Sequence, residues 1–183
     1  QILKENGIDR IYKYNSEHFL GDSDKALEYI TKANEIAPNN IEVKKTRADI
    51  FYNKSYNCIN ETGEFENIEL DRSKCNEYAY EAISDFFFVL KKNEDTSVYR
   101  TLGRIHLFIL ENEEEKAIEY FKKSTNNKNI GFWKTYRFIG EAYLNLGDYN
   151  KSIEYSNLAI ENLQLQKKYY TLSEYNYSLS LIK

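Results

Sequence analysis

Residues 140–155 read GEAYLNLGDYNKSIEY, with glycines at 140 and 147 in a run otherwise built of helix formers and aromatics. A helix that stops at "LGDY" and resumes at "SIEY" describes a helical hairpin. Gly140 then permits close approach of a neighbouring backbone, and Gly147 supplies the left-handed turn that ends the first helix. Asp148 follows as the N-cap of the second.

The same pattern recurs upstream. ALEYITKA starts at Ala26, AISDFFFV at Ala82, AIEYFKKS at Ala117 and SIEYSNLA at Ser152. Each carries a small residue first, Leu or Ile second, and a small or apolar residue seven positions on. The last three starts are 35 residues apart and the first gap is 56, so one repeat carries an insertion of about 21 residues. A partner helix precedes each start: Phe132 to Leu146, with Tyr136, Ile139 and Tyr143 on one stripe; Thr96 to Leu110, with Tyr99, Leu102, Gly103 and His106; Asn40 to about Asn53, with Ala48 and Phe51; and Ile8 to Leu20. Asp22 or Ser23 caps the second helix of the first hairpin. Asn112 with Glu113, Glu114 and Glu115 places acceptors and negative charge at the start of the third.

Tyr136, Ile139, Gly140, Tyr143, Gly147, Tyr149, Ser152 and Ala159, together with Gly21, Ala26, Ala33 and Pro38, resemble the tetratricopeptide repeat family over about Ile8 to Leu163. Departures are the two extra residues between Gly103 and Ala117, and Lys44 and Arg47 at positions where the second repeat expects apolar side chains. The resemblance implies an all-α, right-handed superhelical solenoid formed as a single domain over 1–183. Its hairpins fall at about 8–37, 40–92 (insertion at about 53–77), 96–125 and 131–163, and a closing helix at about 166–183. It implies, further, a non-catalytic scaffold or adaptor that holds a partner protein or peptide in a concave groove lined by the first helix of each hairpin. Registering those helices by their small residues points Lys45, Asp49, Tyr52, Arg100, Arg104, Phe108, Lys134, Arg137, Phe138 and Glu141 inward. Arg100, Arg104 and Arg137 suit an acidic segment or a C-terminal carboxylate, or are ordinary solvated charge. Lys45 fits the carboxylate clamp of some tetratricopeptide domains. Asp49 stands where that clamp has Asn, and would repel a carboxylate.

Bulk composition narrows the classes. A formal net charge of −4 argues against nucleic-acid binding by bulk electrostatics. The longest apolar run, FFFVL at 86–90, is far below the ~20 residues of a membrane helix. One proline and seven glycines leave few helix breakers. The chain contains no Met, which suggests a trimmed piece.

Both cysteines, Cys58 and Cys75, lie inside the insertion. Either they form a disulfide, which would tie its ends and indicate an oxidising compartment, or they are unrelated thiols of a cytoplasmic protein. In the first case the location is extracytoplasmic or membrane-tethered, with a leader or anchor trimmed away. No metal or cofactor is expected, since two cysteines and two histidines lack paired close spacing. His106 and His18 read as packed side chains, and no phosphate loop or nucleophile elbow occurs. In FFFV at 86–89, Phe86 and Val89 suit the core; Phe87 or Phe88 packs on the insertion or faces a partner. Trp133 has the same two readings. Leu172, Tyr175, Leu179 and Ile182 form an apolar stripe, belonging to the closing helix or to the start of a fifth repeat. The alternative function is a structural or self-associating module, docking through its aromatic surface and insertion onto another subunit or a membrane-anchored protein.

Overall fold

The computed structural model describes the backbone of residues 23–62, 72–125 and 132–180, and side chains within 24–59, 72–125 and 132–168. The expected first helix at 8–20, the cap at Asp22, Gly21, His18 and the side chains of Leu172, Tyr175, Leu179 and Ile182 lie outside these. Among the described residues the fold is all-α, with seven helices: α1 (Ser23–Ile36), α2 (Ile41–Thr62), α3 (Ser73–Leu90), α4 (Thr96–Phe108), α5 (Glu114–Ser124), α6 (Trp133–Asn145) and α7 (Tyr149–Ser180). None of them is long and apolar enough to cross a membrane.

Two compact units divide these helices. One holds residues up to 98 with 108–111; the other holds 99–107 with 112 onward. In the first, α1 packs on α2 and α2 on α3. Small residues set the helix spacing: Ala26, Ala33, Ala48, Ala79 and Ala82 are fully buried beside Ile30, Val43, Ile50 and Phe86. Asn40 caps α2, its Oδ1 accepting from the Glu42 and Val43 amides at 3.0 and 3.4 Å. The insertion is largely helix: α2 runs on to Thr62 and α3 begins at Ser73, so the added residues lengthen both members of the hairpin. A disulfide joins Cys58 of α2 to Cys75 of α3, with 5.6 Å between their Cα atoms.

In the second unit, Gly147 adopts φ +77°, the left-handed conformation a side chain resists. The Asp148 amide donates to the Tyr143 carbonyl at 2.9 Å and the Gly147 amide to Leu144 at 3.0 Å, closing a Schellman turn. Asp148 then caps α7, its Oδ1 accepting from the Lys151 amide at 3.1 Å. Asn112, 35 residues before Gly147, plays the same turn role with φ +58°. The sequence reading gave it an acceptor role at the start of α5. In fact its backbone makes the turn, and Glu113 occupies the cap position without a side-chain hydrogen bond. The two extra residues between Gly103 and Ala117 lie ahead of Asn112, in the 108–111 stretch of the first unit, where Ile109 and Leu110 are buried. No break separates the fourth hairpin from the expected closing helix: α7 runs continuously to Ser180.

An aromatic clasp recurs inside these hairpins. Tyr120 of α5 lies between Tyr99 and His106 of α4, with ring centroids at 6.5 and 5.2 Å. Tyr155 of α7 lies between Tyr136 and Tyr143 of α6, at 6.4 and 5.5 Å. Such pairs add to burial by about 1 kcal/mol each. The same position in α3 is Asp85, 35 residues before Tyr120. Its opposing residues on α2 are Lys44 and Arg47, whose Nζ and Nη2 meet Asp85 Oδ1 at 3.0 and 2.9 Å, while Arg47 Nε meets Oδ2 at 2.5 Å. Lys44 and Arg47 therefore stand at apolar positions because Asp85, only 2% exposed, has replaced the repeated tyrosine.

Candidate functional site

The sequence-predicted residues divide between the units. Lys45, Asp49, Tyr52 and Phe108 belong to the first; Arg100, Arg104, Lys134, Arg137, Phe138 and Glu141 belong to the second.

In the first unit, Lys45 Nζ binds Asp95 Oδ2 at 2.6 Å and Ser97 Oγ at 3.3 Å. Asp95 also receives the Ser97 amide and hydroxyl on Oδ1, at 2.8 and 2.6 Å, and so caps α4. Burial works against ionisation of Asp95, yet the hydrogen bonds from Lys45 and Ser97 hold its carboxyl down at about 2. Asp49, one turn along α2 from Lys45, behaves oppositely: burial, helped by the nearby Asp95 charge and opposed by Lys45, pushes its carboxyl up to about 6. Tyr52 is buried and tilts against Tyr56, with centroids 6.2 Å apart; Phe108 is half-buried. Asp95 and Ser97 were not singled out from the sequence. Their signal was the EDTS run just ahead of an apolar-periodic segment, a usual helix start.

In the second unit, Phe138 is the centre. It stacks on Phe121 of α5 at 5.5 Å. Phe121 reaches it because Gly103 of α4 has no side chain: a Cβ there would lie 2.6 Å from two ring carbons of Phe121. Two guanidiniums cover the Phe138 ring, Arg137 at 4.5 Å and Arg104 at 5.9 Å from its centroid. Arg137 Nη1 also reaches Glu141 Oε2, one turn on, at 3.4 Å. Lys134 lies over Trp133 at 5.4 Å, and Arg100 is exposed. Thus Arg104 and Arg137 meet on Phe138 and Arg137 reaches Glu141, while α4 and α6 together carry four of the predicted cations and one carboxylate. Arg104 Nε is buried, whereas Arg137 is more than half exposed, and a stacked guanidinium with an exposed edge is suited to bidentate carboxylate binding.

His106 is buried against Tyr120, with Nδ1 3.8 Å from Glu113 Oε2. Burial depresses its basicity, while the Glu113 charge opposes that shift. In FFFV, Phe86 and Val89 are buried, Phe87 is exposed and Phe88 half-buried, with Lys44 over the Phe88 ring at 5.7 Å.

The tetratricopeptide repeat family model matches residues 16–40 and 134–162, so the resemblance read from the repeats holds at those segments. Among solved structures, MamA (MSR-1 C2) superposes with a TM-score of 0.60 at 19% identity, over 80% of this chain and 70% of that one. A crystal structure of MamA protein superposes with a TM-score of 0.50 at 22% identity, over 90% and 96%. These likenesses concern the fold. No curated protein matches the chain.

Proposed function

We propose that this chain is a non-catalytic protein-interaction scaffold, and that the α4–α6 face of its second unit receives an acidic segment of a partner protein. Tetratricopeptide repeats support an interaction scaffold in general terms. The acidic preference rests on one observation, the pair of guanidiniums on Phe138. Stacking orients both, Arg137 while it also reaches Glu141 at 3.4 Å, and Arg100 and Lys134 add charge on the same two helices. An acidic peptide would steer in by this local field although the chain as a whole is negative. Lys45 is committed to Asp95, and Asp49 beside it disfavours a second carboxylate, so the first unit is not assigned this role.

The test is fluorescence anisotropy of a labelled peptide of consecutive glutamates. Reversal of both Arg104→Glu and Arg137→Glu should abolish binding, with the helical circular dichroism and melting curve retained. The wild-type affinity should fall as salt rises. Unchanged binding by the double variant defeats the acidic-segment reading.

A further inference from the structure

The second half of α7 has a feature that the hairpins do not use. Helix α6 spans 13 residues and α7 spans 32, about 20 and 48 Å at 1.5 Å per residue, so α7 outruns its hairpin partner. Leucines recur along it every seven residues, at 158, 165, 172 and 179. Leucine thus fills one of the two seam positions of a coiled-coil heptad, a narrower stripe than the face a helix turns toward a hairpin. Among the described residues the hairpin crossings use Ala, Gly or Ser, and beyond Ala159 the sequence offers only serines of these, Ser173, Ser178 and Ser180.

A hollow of about 420 Å³ lies on this helix, lined by Glu161, Gln164, Leu165 and Lys168. These are residues i, i+3, i+4 and i+7, the four-residue hole into which a facing helix inserts its knob. Leu165, at the seam, is 50% exposed.

We propose that α7 pairs with α7 of a second copy of this chain, antiparallel, with the two-fold axis near Leu165. Leu165 of each copy enters the hole of the other. Charge selects the copy and the direction. Antiparallel pairing brings Glu161 of one chain beside Lys168 of the other, twice by symmetry; parallel pairing sets Glu161 against Glu161 and Lys168 against Lys168. An isolated helical extension of this length is marginal in water, so covering the seam also stabilises the helix that carries it.

Light scattering on the eluting full chain, across a dilution series, tests this. The wild type should dissociate from dimer to monomer on dilution. Leu165→Glu should be monomeric throughout with unchanged melting of the hairpins. Glu161→Lys and Lys168→Glu singly should each weaken the dimer about tenfold or more, and the two together should restore it. The inference is overturned by a wild type that stays monomeric, by a Leu165→Glu dimer, by charge reversals that fail to rescue one another, or by a dimer abolished instead by Ile153→Glu, on another face of α7. Peptide binding at Arg104 and Arg137 is read separately and does not depend on the result.

Discussion

Arg47 grips both oxygens of Asp85, through Nε to Oδ2 and Nη2 to Oδ1, with Lys44 completing the cluster from one turn away. The pairing is almost dry, Asp85 being fully within the α2–α3 interface. A buried ion pair of this kind is weak proof of net stabilisation, because desolvation offsets most of the attraction. Removing one partner is another matter, since it strands charge.

Asp85→Ala should therefore cost about 3–5 kcal/mol, leaving Lys44 and Arg47 facing an apolar wall. Chemical denaturation measures it. A loss below about 1 kcal/mol would mean that both cations swing out to water and that the cluster contributes little.

Asp49 and Asp95 give the stability a pH signature. The folded Asp49 carboxyl, pushed up to about 6, holds its proton where the unfolded one has lost it. Stability therefore falls as pH rises from about 4 to 6. Asp95, held at about 2, acts the other way: its contribution is complete above about 4 and is lost as pH falls toward 2. Asp49→Asn should flatten the decline between pH 4 and 6 and raise stability at pH 7 by about 2 kcal/mol, after allowing for partial solvent access. Urea midpoints at pH 4.5 and 7 decide it: equal decline in variant and parent excludes Asp49 as the source.

How far these features were legible depends on whether a residue acts locally. Gly147 and Asp148 announced the last turn because a left-handed residue followed by a capping acid is a local signal, and both sit as their chemistry requires. Asn112 was misread because Asn serves equally as a cap or as a left-handed residue; only the backbone distinguishes the two. The insertion was expected between helices, yet Asn53 to Thr62 continue α2. The sequence there contains no breaker before Gly63, so nothing local ends the helix at Asn53. Lys44 and Arg47 stood out as departures, but their partner lies 38 or more residues away and had to be found in space. Asp85 stands where Tyr120 and Tyr155 stand in the next two repeats, a break in the pattern that was passed over. For the candidate face, Arg104 and Arg137 could be placed by register, whereas their shared seat on Phe138 depends on how α4 meets α6.

Gly103 and Gly140 occupy the same place in successive hairpins and differ in what they face. Beyond Gly103 is the Phe121 ring, locked by Phe138, with Cβ contacts of 2.6 Å. Beyond Gly140 are Ser156 Oγ at 3.1 Å and the Ser152 carbonyl at 3.2 Å. Alanine at either site gains about 1 kcal/mol of helix propensity. At Gly103 a shift of the ring costs about 1–3 kcal/mol and dominates, so Gly103→Ala should destabilise; Gly140→Ala should be near neutral. Thermal melts of the two variants check the order, and a Gly103→Ala protein as stable as the parent would show that Phe121 has room to retreat.

The Cys58–Cys75 bridge closes a 17-residue separation between two helices that already pack along their length. Chain entropy alone predicts about 3 kcal/mol from such a crosslink. Because the adjoining ends of α2 and α3 are held by this link, reduction should release the insertion first and leave the Asp85 cluster in place. Urea unfolding with and without reductant should show a lowered midpoint. Hydrogen exchange should rise in 53–62 and 73–77 well before the buried core around Ala82 and Phe86 responds. Intact mass of unreduced protein, treated with a thiol-blocking reagent, should show no addition; modification of both cysteines in a natively prepared sample would overturn the bridge.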